Sequence, residues 1–371
     1  MGRVLRKLVA WMRFDGLTPG VKANPLKPRP PGVGTPLVEA SFSPNPGNLR
    51  MFRYLPKGVR AGAPLVVVLH GCGQTAGGYD AGAGWYQLAD ELGFALLAPE
   101  QKAVNNPNTC FDWFNPEDIT RGEGECASIA AMIGEVLQTH GLDAGRVFIT
   151  GLSAGGAMTA AMLATYPELF AGGAIIAGLP YGVAANVRDA LDAMRSAPLK
   201  TPQQWGDLVR AASAWRGPWP KISIWHGALD TTVNINNAQA SVAQWADVLG
   251  LPLTGARQEM MAGAVRLSWE DGLEVYTIPT LGHGTPIDSR DVGMAAPFIL
   301  DVGISSTRRI ADFWGLVPQA AAIPAAKPRP VPPEPALQEI ETLLAPHPVS
   351  QPAAESLIRR ALQAIGLRKR R

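Results

Sequence analysis

Three cysteines in 371 residues, Cys72, Cys110 and Cys126, are too few for a cross-linked small scaffold and too scattered for a metal-binding cluster. They allow one disulfide at most, with a thiol to spare. No uninterrupted apolar run approaches twenty residues, which excludes a membrane-spanning helix. Charged residues make up only 17% of the chain against 47% hydrophobic, so a disordered polyelectrolyte is excluded too and a soluble globular protein is expected. The first residues carry Arg3, Arg6, Lys7 and Arg13, but neither an apolar stretch of seven nor a small-residue cleavage site follows. They do not support export by the usual route, and the sequence leaves the compartment open.

The net charge of +2 hides an uneven distribution. Residues 1–35 hold seven Lys/Arg and one acid, and residues 356–371 hold six and none, leaving 20 basic against 30 acidic residues between them. An acidic body with basic ends disfavours nucleic acid as a partner.

Four segments follow from composition. Residues 1–36 are a basic stretch leading into a Pro/Gly-rich tether, where Pro19, Pro25, Pro28, Pro30, Pro31 and Pro36 oppose both helix and central strand. Residues 37–316 are expected to form the main folded domain, the one that the motifs below make catalytic. Residues 317–335 are a linker, with seven prolines between Pro318 and Pro335. In residues 336–371, Leu357, Ile358, Ala361, Leu362 and Ile365 fall at helical spacing beside Arg359 and Arg360. Val4, Leu5, Leu8, Val9 and Met12 repeat that pattern at the other end. Such basic amphipathic ends fit weak association with a granule or an anionic membrane; a docked helix or a tail is the plainer alternative.

Within the domain, Leu65–Leu69 is a short apolar run rich in β-branched residues that stops at His70-Gly71, as a buried parallel strand would. Comparable runs are Phe94–Ala98, Val147–Thr150, Ala174–Ala177, Ile222–Trp225 and Leu273–Ile278. Helical patterns over Ser128–Thr139, Ala157–Tyr166 and Asn237–Leu249 lie between them. This alternation predicts an α/β fold with a mostly parallel sheet covered on both faces.

Gly151-Leu152-Ser153-Ala154-Gly155 directly follows one of these strands and precedes small, helix-tolerant residues. A nucleophile elbow needs that setting, because only small residues two positions either side of the serine let strand and helix approach so closely. A serine hydroxyl needs a histidine base, and the base needs an acid to fix its tautomer. Of five histidines, His283 lies in the loop after the last strong strand, where the base belongs. His226, at a strand end, reads as a residue packing near the site or touching substrate. Asp230, a few residues beyond the same strand, is the expected acid; Asp271 and Asp288 compete weakly. The order Ser153, Asp230, His283 is that of α/β-hydrolases. Backbone N–H groups of Ala154 and of Cys72, in the turn His70-Gly71-Cys72-Gly73-Gln74, are the expected oxyanion donors.

These residues, with Pro99-Glu100-Gln101, Cys110-Phe111-Asp112-Trp113-Phe114, Arg121-Gly122-Glu123-Gly124-Glu125, Ala177-Gly178-Leu179-Pro180-Tyr181-Gly182 and Trp225-His226-Gly227, resemble the poly(3-hydroxybutyrate) depolymerase family of esterases over about residues 50–315. The resemblance implies an α/β-hydrolase carboxylesterase needing no metal or organic cofactor. It implies relatives acting on short-chain polyhydroxyalkanoates and others similar to feruloyl or acetylxylan esterases, and an extracellular setting. Its serine, aspartate and histidine fall on Ser153, Asp230 and His283. The chain departs from it in having no recognisable signal peptide or separate polymer-binding domain, and in Cys126, where a small residue is expected. Cys72 and Cys110 both lie beyond carboxyl ends of neighbouring strands, which makes a Cys72–Cys110 disulfide the natural pairing to test. Trp85, Trp113 and Tyr181 lie where they could line the cleft, with a core role as the alternative, and Val183–Pro220 is either a cap or a long connection. Three functions follow: a polyhydroxybutyrate or oligomer esterase, a feruloyl or acetylxylan esterase acting on carbohydrate-linked esters, and a non-catalytic binding protein that kept the fold.

Overall fold

The computed structural model describes residues 36–317 except Asp271. The basic ends, the Pro-rich linker and the competing acid Asp271 therefore lie outside the described residues.

The sheet grows from the apolar runs. Leu65–Leu69 (β3), Ala95–Glu100 (β4), Val147–Leu152 (β5), Gly172–Ile176 (β6), Lys221–Gly227 (β7) and Leu273–Ile278 (β10) are parallel neighbours in the order β4-β3-β5-β6-β7-β10. All five residues of β3 are buried, as a strand covered on both faces requires. Val67 aligns with Leu97 on one side and Ile149 on the other. Four antiparallel strands extend the edges: Val38–Ala40 (β1) and Arg50–Tyr54 (β2) beyond β4, and Arg257–Met261 (β8) and Ala264–Trp269 (β9) beyond β10. Thr285–Ile287 (β11) and Ile299–Asp301 (β12) pair separately in parallel.

Eight α-helices are described: Ala76–Ala83 (α1), Trp85–Leu92 (α2), Gly124–His140 (α3), Ala154–Thr165 (α4), Val187–Arg195 (α5), Pro202–Ala211 (α6), Asn236–Leu249 (α7) and Ser306–Phe313 (α8). Two adjacent glycines in β6 show how they sandwich the sheet. A β-carbon on Gly172 would meet the Trp314 ring just after α8, whereas one on Gly173 would meet Leu163 of α4. Successive strand residues point to opposite faces, so the end of α8 and α4 cover opposite sides. Trp314 stacks on Phe148 of β5 at 4.9 Å and on Trp85 at 5.9 Å. The chain is thus an α/β-hydrolase fold.

The segment between β6 and β7 is built as α5 and α6. Trp205, Val183 and Leu208 pack there against Ala240 and Ala243 of α7. It is a helical insertion docked on α7 rather than a connection laid along the sheet.

Candidate active site

Ser153 stands between β5 and α4 with φ 57° and ψ −116°, a region costly for a residue with a side chain. The surroundings hold it there. A β-carbon on Gly151 would lie 2.4 Å from the Gly155 carbonyl oxygen, and one on Gly155 only 2.5 Å from the carbonyl oxygens of His70 and Leu69. A side chain at either position would force backbone to move, and the second contact shows that the turn after β3 lies in backbone contact with the elbow. The Ser153 N–H donates to Ile176 O of β6 at 2.9 Å, which ties the elbow to the neighbouring strand.

His283, in the loop between β10 and β11, brings Nε2 to 2.9 Å from Ser153 Oγ and Nδ1 to 2.7 Å from Asp230 Oδ2. The other carboxylate oxygen of Asp230 accepts the N–H groups of Thr232 and Val233 at 2.9 and 2.8 Å. Burial alone would raise the Asp230 pKa, but the hydrogen bond and charge of His283, with His226 and the Val233 N–H, bring it below the usual carboxylate value. The acid is thus an anion aimed at the imidazole. Asp288 is engaged elsewhere, by Arg290.

The two N–H groups expected to bind an oxyanion are available. Among the described residues, neither the Cys72 nor the Ala154 N–H donates to a protein acceptor. Cys72 is bonded to Cys110, with an S–S distance of 2.10 Å, so the turn is tethered to the loop after β4. Cys126 is a buried free thiol 3.6 Å from Met158 Sδ.

Two expected substrate contacts need correction. Trp85 is fully buried: it opens α2 rather than a loop, and its ring sits between Phe94 and Trp314. His226 is buried beneath the acid, its Nε2 2.8 Å from Val233 O and 3.4 Å from Asp230 Oδ2, so it braces the Asp230 turn instead of facing substrate. Trp113 is nearly buried, edge-on to Phe114 at 5.5 Å. Tyr181 is half-buried, its backbone N–H and carbonyl both bonded to the side chain of Gln244 on α7.

Sequence reasoning passed over Phe298 and Leu229. The Phe298 ring lies edge-on to His283 at 5.9 Å and is 46% exposed, on a backbone with φ 63°. Leu229, beside Asp230, is 62% exposed. Phe298 places apolar surface beside the candidate base, and Leu229 is the exposed chain neighbour of the candidate acid. The sequence carried no signal for them: Phe298 reaches His283 only through the close approach of its backbone to Gly284, where a β-carbon would lie 2.7 Å from Phe298 O.

One further set of oxygens, from Asp112, Asp118 and Glu125, falls within 4.8 Å and could in principle face a cation. Protein donors already engage it: Asn106 binds Asp112, Asn115 binds Asp118, and Gln101 and the Asp112 N–H bind Glu125. Burial, then the two neighbouring acids, raises the Glu125 pKa well above normal. A cavity of about 330 Å³ lined by Arg60, Arg146 and Leu316 opens by the residues preceding β3 and β5, at the amino ends of the strands and away from Ser153.

Comparison with known proteins agrees with this geometry. The family model "Esterase PHB depolymerase" matches residues 49–267. Poly(3-hydroxyalkanoate) depolymerase C of Paucimonas lemoignei is 44% identical over 288 residues, covering 75% of this chain and 69% of that protein. An acetylxylan esterase of Coprinopsis cinerea is 36% identical, covering 68% of this chain and 70% of its own. The structure of an acetyl xylan esterase from Aspergillus awamori superimposes with a TM-score of 0.66 at 26% identity, over 76% of this chain and 99% of that one. With a serine elbow, a histidine and a buried carboxylate assembled on an α/β-hydrolase sheet, the chain is a carboxylic ester hydrolase and belongs to the esterase PHB depolymerase family.

Proposed function

We propose that Ser153, His283 and Asp230 form the catalytic triad of this esterase and that its substrate is polyhydroxybutyrate or its short-chain oligomers. The continuous relay from Asp230 Oδ2 through the His283 ring to Ser153 Oγ, at 2.7 and 2.9 Å, carries the reading. His283 Nε2 takes the Ser153 proton as Oγ attacks the ester carbonyl, and Asp230 keeps Nδ1 protonated and stabilises the imidazolium that forms. The Cys72 and Ala154 N–H groups receive the oxyanion. His283 then passes its proton to the departing alcohol, leaving an acyl-Ser153 ester. Water, deprotonated by the same nitrogen, attacks that ester; collapse releases the acid and restores the serine.

Two observations favour a polyester. The exposed apolar ring of Phe298 beside His283 suits a chain of methyl-bearing ester units. The relative at 44% identity is named for poly(3-hydroxyalkanoate). A carbohydrate-linked acetyl or feruloyl ester is the second reading, supported by the relatives at 36% identity named acetylxylan esterase and feruloyl esterase B. An intact relay argues against a binding protein without catalysis.

The test compares wild type with Ser153→Ala on p-nitrophenyl butyrate, hydroxybutyrate oligomers, amorphous polyhydroxybutyrate, methyl ferulate and acetylated xylan. Serine-dependent turnover of the hydroxybutyrate substrates is expected. Turnover confined to ferulate or xylan would move the assignment to carbohydrate esters, and activity surviving in Ser153→Ala would overturn the triad.

A further inference from the structure

His70 is fully buried at the end of β3 and takes no part in the Ser153–His283–Asp230 relay. Both of its ring nitrogens are occupied nonetheless. The backbone N–H of Gln101 points at Nε2 from 3.1 Å, and the carbonyl oxygen of Gly71 lies 2.8 Å from Nδ1. A backbone N–H can only donate, so Nε2 must present its lone pair. A carbonyl can only accept, so the proton must sit on Nδ1. The two bonds therefore select one neutral tautomer, and burial, which pushes the His70 pKa down, keeps the ring uncharged.

The Gly71 carbonyl is one end of the peptide unit whose other end is the Cys72 N–H. That unit is planar and trans, so fixing the direction of its C=O fixes the direction of its N–H. A donor on the carbonyl also polarises the amide and strengthens the N–H at the far side. The Gln74 N–H adds a second, longer bond to the same oxygen at 3.2 Å, and Gln74 Oε1 accepts the Gly71 N–H at 2.8 Å. Behind the imidazole, the Gln101 side chain donates to Cys110 O at 3.1 Å and to Glu125. Cys110 is joined to Cys72 by the disulfide, which closes the frame.

We infer that His70 is a positioning residue of the oxyanion site, its Nδ1–H holding the Gly71–Cys72 peptide so that the Cys72 N–H faces the carbonyl under attack. The inference rests on the proposed reading of Cys72 as an oxyanion donor, and it gives a task to a histidine that is not the base. His70 acts on the transition state, where charge develops on the carbonyl oxygen, and leaves ground-state binding almost unchanged.

The experiment measures full-length wild type, His70→Leu and His70→Asn on p-nitrophenyl butyrate, per active site titrated with a fluorophosphonate, and Ser153→Ala per mole of protein, together with inhibition by an alkyl trifluoromethyl ketone. Deleting an oxyanion donor costs about 10²–10³ in kcat, and mis-aiming one is expected to cost about 10–100-fold in His70→Leu with KM changed less than about threefold. The ketone, which forms a tetrahedral oxyanion adduct, should lose affinity by a similar factor; damage to the fold alone would lower the titratable fraction without moving either ratio. Asn carries a donor near the Nδ1 position and should recover most of the loss. Full kcat per site in His70→Leu, or a fall in kcat with ketone affinity unchanged, overturns the inference. Activity persisting in Ser153→Ala would instead overturn the Ser153–His283–Asp230 triad, without which the Cys72 N–H has no oxyanion to receive. Should His70→Leu fail to fold, nitrogen-15 NMR of the wild type decides: a proton on Nδ1 of His70 supports the inference and one on Nε2 ends it.

Discussion

Adding one methyl group at Gly155 should harm catalysis more than it harms the fold. Its β-carbon would lie 2.5 Å from the carbonyl oxygens of His70 and Leu69, about 1 Å inside the ~3.5 Å at which non-bonded atoms rest comfortably. Those atoms are backbone, so relief must come from moving the turn after β3 or the first turn of α4. Overpacking of this kind costs about 1–3 kcal/mol, of which helix propensity returns about 1 kcal/mol at most. The Tm should fall by only a few degrees. The displaced turn, however, carries the Cys72 N–H, and a shift of about 1 Å at a reacting group can cost about 10²-fold in rate. Gly134→Ala is the control: that glycine is exposed within α3, nothing lies within 4 Å of its added β-carbon, and alanine there should stabilise by about 1 kcal/mol with activity unchanged. Thermal melts and kcat on p-nitrophenyl butyrate for both variants check the pair. A Gly155→Ala enzyme with wild-type kcat would refute the reasoning that this contact sets the oxyanion geometry.

Other outcomes follow from the same structure. The Cys72–Cys110 bond closes a 38-residue separation, so its loss in the double serine variant should lower stability by about 4 kcal/mol at most, read as the shift in urea midpoint between oxidised wild type and variant. Trp85→Ala should cost about 3–5 kcal/mol in denaturant unfolding because it empties the stack on Trp314, yet leave KM of the folded enzyme unchanged; a raised KM would return Trp85 to the substrate site. Burial, with Asp112 and Asp118, raises the Glu125 pKa, so the folded form holds a proton that the unfolded chain releases near 4.5. That contribution is full below pH 4.5 and falls as pH rises through the folded value, by about 1.4 kcal/mol per pH unit. The stability of wild type relative to Glu125→Gln, from urea titrations at pH 5 and pH 7, should therefore be lower at pH 7; equal differences at the two values would remove Glu125 as the titrating group.

The parallel strands were legible because burial on both faces leaves continuous apolar runs, and Leu65–Leu69 and Leu273–Ile278 match the structure residue for residue. The edge strands left no such mark. Arg257–Met261 reads as polar because its residues range from half-buried to exposed, and Val38–Ala40 is too short to show alternation. Ser153, His283 and Asp230 could be singled out because each follows a recognisable strand. Trp85 was misplaced because Gly77, Gly78, Gly82 and Gly84 disguise two short helices as a loop. The arrangement around His70 was invisible for another reason: its partner Gln101 is 31 residues away, and only the pairing of β3 with β4 brings them together.

The placement of the helical insertion has a consequence for how such an enzyme diversifies. Ser153, Asp230 and His283 stand beyond the ends of β5, β7 and β10, while α5 and α6 hang from the interval between β6 and β7. Residues 178–220 can then behave as a cassette: exchanged, lengthened or trimmed, they leave the Gly172–Lys221 alignment of the flanking strands intact so long as the face meeting Ala240 and Ala243 stays apolar. One continuous stretch of chain would thus vary in length and sequence without rebuilding the strands that hold Ser153, Asp230 and His283.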